Sequence, residues 1–380
     1  MTDFTIKNRI EKELSQKKQE KNFRTLKNYN KNMVNLSSND YLSLINDINL
    51  KNKFIETYSS EFCFSSGSSR LITGNYPIVC ELEKEIEKIY KKPALVMNSG
   101  FSANKTIIET FCNRNTLILS DRLNHASIYA GIISSKGKLV RYRHLDIKHL
   151  EELLQKYKND YQDIFIVSES VYSMDGDIAD LKELVRLKKL YNATLMIDEA
   201  HSFGVFGYGI AYNENLVQDI DFLSIPLGKG GGSVGAYIVC EKIFKDYIIN
   251  FGKEFIYSTA LPPINNLWNL YILKNLENKI FTEKIKKLED LKNHAFKIMK
   301  KLGIKTVSTS HIISLVIGDN EKTDIMAENL RQKGWLVYGI KSPTVPKGSE
   351  RIRISLNSEL LKEDLEKFLE DFKNECDNIF

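Results

Sequence analysis

The sequence predicts an α/β protein: a large domain with a mainly parallel sheet between helix layers, followed by a smaller α+β C-terminal domain. Three observations lead there. Short apolar, β-branched runs alternate with longer segments of helical period, and that alternation changes character near residue 260. In addition, 380 residues are many for a single hydrophobic core.

The expected strands are Ala94–Asn98, Thr116–Ser120, Lys138–Tyr142, Asp163–Ser168, Thr194–Asp198, Phe222–Ile225 and Ala236–Cys240. Helix-like segments separate them. In Asp180–Tyr191, Leu181, Leu184, Val185, Leu187 and Leu190 recur largely at spacings of three and four. Strands joined by helices make βαβ units, whose sheet is covered on both faces. Beyond 260 a long helical stretch, Pro263–Leu302, precedes strands at Ile312–Ile317, Leu336–Ile340 and Arg351–Leu356, and the amphipathic helix Leu360–Phe372 follows. The expected organisation is an N-terminal helix and arm over 1–50, a large domain over 51–262 and a small one over 263–380.

Composition excludes several classes. Apolar residues at 42% and charged residues at 27% are ordinary for a soluble protein. No run approaches the ~18 apolar residues of a membrane helix, and the charged start lacks the apolar centre of a secretion signal. The expectation is a cytoplasmic protein. A net charge of +5, from 54 basic and 49 acidic residues, does not call for nucleic acid, and no basic and aromatic stripe is concentrated anywhere. The five cysteines are scattered without a CxxC pair, so neither a metal centre nor a disulfide framework is expected.

The segment Thr194–His201, TLMIDEAH, is an apolar strand ending in two acids and then a histidine. Catalytic groups of open α/β sheets gather at such strand ends, which makes Asp198 and His201 candidates. A DEAH-type ATPase would need a GxxxxGK[ST] loop. Gly137-Lys138, Gly228-Lys229 and Gly252-Lys253 all lack the following Ser or Thr, and that reading fails.

The segment Phe222–Cys240, FLSIPLGKGGGSVGAYIVC, sets Lys229 alone in a glycine-rich turn between two strands. Gly230, Gly232 and Gly235 fit GxGxxG, but a strand follows where a dinucleotide site needs a helix. A lysine there can be partly desolvated and approached closely by a carbonyl cofactor. An acid at one strand end and a lysine at a later one suggest pyridoxal 5′-phosphate (PLP). The acid would stabilise a protonated pyridine nitrogen, and the lysine would hold the aldehyde as an imine and then move a proton. The segment Asn98–Asn104, NSGFSAN, would grip the phosphate with backbone N–H groups at a helix start.

With these pieces, the chain resembles the α-oxoamine synthases, fold-type I (aminotransferase-like) PLP enzymes, from about Leu36 to the C-terminus. The resemblance rests on LSSNDYLSL (36–44), GSSRLITGN (67–75), LVMNSGFSANK (95–105), DRLNHASI (121–128), ESVYSMDGD (169–177), MIDEAHSFGVFG (196–207), LGKGGGSVGA (227–236), FIYSTALPP (255–263) and SPTVPKGSERIRISL (342–356), in that order. It implies that Lys229 is the Schiff-base lysine and Asp198 the partner of the pyridine nitrogen. His125 matches an imidazole that stacks on the cofactor ring. His201 and Ser173 match groups near the phenolic oxygen, with Glu169 beside them. Ser99, Gly100 and Phe101 match the phosphate loop, and Thr259 a residue reaching the phosphate from the other subunit of a homodimer. Arg353 matches the arginine that holds the amino-acid carboxylate, assisted by Asn39. Arg24 falls near a basic residue placed close to the acyl substrate.

Two positions depart from the family pattern. Pro226 stands where a Thr or Ser usually donates to the phosphate, and Val79 where a His is common. Phosphate binding would then lean on the Gly100 region, Ser233 or Thr259. The motif PTVP (343–346) favours the branch of biotin biosynthesis that condenses L-alanine with a pimeloyl thioester, on coenzyme A or a carrier protein, with loss of carbon dioxide. Glycine C-acetyltransferase or another α-oxoamine synthase is the alternative enzyme. A catalytically inert binding subunit is the alternative of a different class, and the presence of Lys229 argues against it.

Overall fold

The computed structural model describes residues 5–26, 28 and 32–379. Seven strands form one sheet in the order Ala94–Met97, Ala236–Cys240, Phe222–Pro226, Thr194–Asp198, Asp163–Glu169, Thr116–Asp121 and Lys138–Tyr142. Pairing is parallel from Phe222–Pro226 through to Lys138–Tyr142. Ala236–Cys240 alone runs antiparallel to both of its neighbours. The mainly parallel α/β sheet expected from the sequence is present, and every expected strand limit in it falls within one residue of the observed one.

Local chemistry accounts for these limits. Asp180 caps Leu181–Tyr191 by accepting the Glu183 N–H at 3.1 Å, and Asn192 ends the helix in the left-handed conformation. Leu181, Leu184, Val185 and Leu187 are its buried stripe, whereas Leu190 is 60% exposed. On one face of the sheet, Leu95, Phe165, Met196, Phe222 and Ile238 pack with Ile107, Ile108, Ile128, Ile132 and Ile248 from three helices. Each such side chain, fully buried, contributes about 1.5–3 kcal/mol.

The described chain divides into two units. The larger comprises residues 39–173 and 177–288; the smaller runs through residue 38, takes 174–176 and resumes at 289. These limits differ from the expected cuts at 50 and 262 for two physical reasons. The helix Pro263–Asn275 buries Leu267, Leu270 and Leu273 and packs against Pro77–Tyr90 in the larger unit. Val34–Asn35 instead pairs in parallel with Trp335–Leu336 in the smaller. The expected helical stretch 263–302 is two helices, because Asn278 accepts the N–H groups of Ile280 and Phe281 and starts Lys279–Leu302 afresh.

In the smaller unit, Arg351–Ser355 lies between Gly339–Ile340 and Ile312–Val316, antiparallel to both. The single strand expected over 336–340 is two short ones, since Trp335–Leu336 and Gly339–Ile340 pair with different partners. The closing helix is Lys362–Ile379. At the start, Ile6–Gln19 is helical and buries none of its residues; residues 1–4, 27, 29 and 30 of the expected helix and tail lie outside the described residues. Among the described residues, no helix is long and apolar enough to cross a membrane.

Candidate active site

Parallel strands bring their last residues to one edge of the sheet, and period two sets the face each side chain takes. Asp198 shares the face of Met196, Glu169 that of Phe165 and Val167, and Pro226 that of Phe222, and the helix Gly100–Phe111 packs on that face. There the larger unit holds a cavity of about 240 Å³ whose lining includes Gly100, Asn104, His125, Glu169, Asp198 and Lys229.

Asp198 is 3% exposed and held from two sides. One oxygen accepts the Asn104 amide at 2.7 Å and the other the Ala200 N–H at 2.9 Å. The same Asn104 nitrogen donates to Ser127 Oγ at 2.9 Å, which is 2.7 Å from His125 Nδ1. A second chain runs from Lys229 Nζ to His201 Nε2 at 2.8 Å, and from His201 Nδ1 to the Tyr41 hydroxyl at 2.6 Å. The Tyr41 hydroxyl donates onward to Asn39 Oδ1 at 3.1 Å. Since a phenol has one proton to give, His201 donates from Nδ1 and its Nε2 accepts from Lys229.

Glu169 is 1% exposed and pairs in register with Asp198 on the neighbouring strand. Burial, and then the Asp198 charge, push its carboxyl well above the usual range, against the pull of Lys229 and the His125 N–H, which it accepts at 2.6 Å. Glu199, the second acid of the IDEAH run, does a different job. It accepts the Ala211 N–H at 2.7 Å, the Ile210 N–H at 3.2 Å and the Ser170 hydroxyl at 2.8 Å. Burial raises it to about 7, and these donors restrain the rise.

At the other end of the cavity, Gly100 opens the helix Gly100–Phe111, and Ser99 caps it with Ser102 in a reciprocal capping box. The first N–H groups of that helix are donors for an anion. The departure at position 226 acquires a physical account here. A Cβ on Gly100 would lie 2.4 Å from Pro226 Cγ and 2.7 Å from its Cβ, so the proline ring fills the space against that glycine. Val79, the other departure, is 1% exposed on the helix Pro77–Tyr90.

Several residues singled out in the sequence are therefore brought together: Lys229, His201, Asp198, Glu169, His125, Ser99, Gly100 and Phe101, with Asn39 joined through Tyr41. Ser173 is half-buried in the same unit. Thr259 is exposed, and its carbonyl accepts the Asn98 amide at 2.7 Å. Arg24 and Arg353 belong to the smaller unit. Arg24 donates to Thr344 Oγ1 at 3.0 Å, beside a cavity of about 620 Å³ that both residues line.

Arg351 and Arg353 project from one side of their strand, and that side is buried. Arg351 is 3% exposed and binds Asp175 at 2.5 Å; Arg353 is 8% exposed and donates to Ser355 at 2.7 Å. Asn104, Ser127 and Tyr41 were not among the expected site residues. The signals were present, since Asn104 lies one helical turn after Gly100 and Tyr41 two residues after Asn39.

Residues 31–372 match the model of the family described as aminotransferase class I and II. A protein of Glaesserella parasuis serovar 5 named "Putative 8-amino-7-oxononanoate synthase" is 42% identical over 339 residues, which cover 88% of this chain and 89% of that protein. A Haemophilus influenzae protein of the same name is 41% identical over 346 residues, 90% of each chain. Among solved structures, serine palmitoyltransferase from S. paucimobilis with a bound PLP–myriocin aldimine matches with a TM-score of 0.84. That pair is 26% identical, over 91% of this chain and 88% of the other. The 8-amino-7-oxononanoate synthase of Francisella tularensis matches with a TM-score of 0.78 at 27% identity, over 92% of this chain and 99% of the other.

Proposed function

The chain belongs to the aminotransferase class I and II family, as a PLP-dependent transferase of the α-oxoamine synthase group, and from that premise we propose that it makes 8-amino-7-oxononanoate. A carbon–carbon bond forms between the alanine Cα and the acyl carbon of a pimeloyl thioester. The thioester C–S bond breaks to release the thiol of coenzyme A or a carrier protein, and the bond from Cα to the carboxylate breaks to release carbon dioxide.

The larger unit's cavity fits PLP in its donor set. It offers an amine for the aldehyde, a fixed carboxylate for the pyridine nitrogen and a helix start for the phosphate. Asn104 Oδ1 is moreover buried without a hydrogen-bond partner in this wall, as expected of a group awaiting a ligand. When bound, PLP supplies an aldehyde for amines and an electron sink for the carbanion at Cα.

The chain's own groups do the rest. Lys229 holds the cofactor, then takes the proton from alanine Cα and later returns one. His201 Nε2, 2.8 Å away, steadies the ammonium form of that lysine between transfers. Asp198, kept in place by Asn104 and Ala200, would pair with the pyridine nitrogen and stabilise positive charge on it. Glu169, pushed toward its neutral form, avoids adding a second charge there. His125 would lie against the ring, with His201 and Ser173 near its phenolic oxygen. Ser99, Gly100 and Phe101 would bind the phosphate, and Thr259 would complete that site across a homodimer. Arg353, with Asn39, would hold the alanine carboxylate, and Arg24 would serve the acyl substrate.

The observation that carries this reading is one cavity shared by Lys229 and Asp198; the choice of substrate is supported by the likeness to relatives 42% identical. Thiol release from pimeloyl-CoA tests it, with alanine, glycine and serine compared. Alanine is expected to give the highest kcat/KM. A response to glycine alone, with a short acyl thioester, would favour glycine C-acetyltransferase, and failure to take up PLP would favour the inert subunit.

Two variants probe the binding groups. Gly100→Ala should weaken PLP binding roughly tenfold or more, since overpacking against a ring costs about 1–3 kcal/mol; fluorescence titration of PLP measures it. Arg353→Lys should raise the KM for alanine roughly tenfold with a smaller change in kcat, because an ammonium cannot replace the bidentate guanidinium. An unchanged KM would remove Arg353 from the carboxylate site.

A further inference from the structure

His144 lies between two carboxylates. Its Nδ1 is 2.9 Å from Asp121 Oδ1 and its Nε2 2.8 Å from Asp177 Oδ2. Neither ionised partner can donate, so both ring nitrogens must carry hydrogen, and the imidazolium is the form that satisfies the site. Asp121 is fully buried, and its two oxygens also accept the N–H groups of Leu123 at 2.8 Å and Leu145 at 2.9 Å. The Tyr172 ring stands edge-on to the imidazole at 4.5 Å, which fixes its plane.

His144 follows the edge strand Lys138–Tyr142, and its two partners come from segments that carry candidate active-site residues. Asp121 ends a strand and begins the loop to His125, in which Asn124 donates to Val167 O at 2.9 Å. Asp177 lies within the turn closed by the Val171–Ile178 bridge, which follows Glu169 and carries Ser173. Between the same two segments, the His125 N–H donates to Glu169. We propose that His144 is a positioning residue for the cofactor site, an imidazolium clamp that ties the His125 loop to the Glu169–Ser173 turn and lets go when it loses its proton. This rests on the reading of His125 and Glu169 as cofactor-site residues.

Burial opposes the charge on His144, but the hydrogen bonds to Asp121 and Asp177 prevail and raise it to about 9. The groups facing it are those two carboxylates and the Tyr172 phenol, which burial keeps neutral; on its own turn, Arg143 is engaged by Asp146 at 2.7 Å and His149 by the Arg143 N–H at 2.9 Å. The folded value lies above the unfolded one of ~6.5. The clamp is therefore complete below that lower value and fades as pH rises through about 9.

The test uses cofactor-free protein with ¹⁵N-histidine, followed by imidazole NMR, together with PLP titrations of wild type, His144→Gln and Asp177→Asn. In wild type, the His144 signals should stay those of an imidazolium until about pH 9. In Asp177→Asn, which leaves the Asp121 contact in place, His144 should titrate lower and the His125 signal should shift. That variant should also bind PLP roughly tenfold more weakly near pH 8, with a smaller gap near pH 6. A purely structural role would not make the gap depend on pH. His144 titrating at ~6.5 in wild type, or Asp177→Asn binding PLP like wild type at both pH values, would overturn the proposal. If wild type bound no PLP, the site reading would fail, while the histidine titration would still decide the clamp.

Discussion

Lys229→Ala is expected to yield a folded protein that loses PLP on gel filtration and shows no visible cofactor band. Turnover should fall by about 10⁴-fold, the upper range for removing a proton-transfer group. Lys229 is only partly buried, so truncating it opens no core cavity, and the turn made by Gly228 and Gly230 keeps its backbone. His201 loses a partner at Nε2 but keeps the Tyr41 contact at Nδ1. Circular dichroism and thermal unfolding of the cofactor-free forms should therefore match wild type within about 1 kcal/mol. Loss of the band with unchanged folding distinguishes a chemical role from a structural one.

The second large effect is expected of Asp198→Asn. Its shape is conserved, but its charge and half of its acceptor capacity are lost. A carboxamide can still accept the Ala200 N–H through its oxygen, but its nitrogen then meets the Asn104 amide donor at the position now 2.7 Å away. Asn104 must turn over, and its bond to Ser127 goes with the rearrangement. Turnover should fall roughly 10²- to 10³-fold, as when one preorganised charge-stabilising group is removed. The KM for alanine should move much less, because Asp198 is assigned to the cofactor and not to the substrate. Steady-state kinetics at saturating PLP separates the two. A variant with wild-type kcat would remove Asp198 from its role.

The parts of this site that were legible in the sequence are those written in local pattern. Runs such as Thr194–Asp198 and Ala236–Cys240 are apolar, short and bounded by turn residues, and they fold as strands with the limits expected. Motif spacing placed Asp198, Lys229, His201 and the Gly100 helix start at one sheet edge because a parallel sheet leaves few other places for them. What could not be read depended on contacts across long stretches of chain. Asn104 reaches Asp198 over 94 residues, and Tyr41 reaches His201 over 160. Period two shows which face Asp198 takes, but not which helix side chain meets it. The burial of Arg351 was equally hidden, since it depends on Asp175 arriving from a distant turn. The packing of Pro226 against Gly100 turns an apparent loss of a donor into a matched pair, and no single-position comparison could express that.

Borohydride reduction of the PLP-loaded protein, followed by peptide mapping, asks which nitrogen carries the coenzyme. One pyridoxyl group per chain is expected, on the peptide containing Lys229. The same label on a different lysine, or no label on a protein that has taken up PLP, would contradict it.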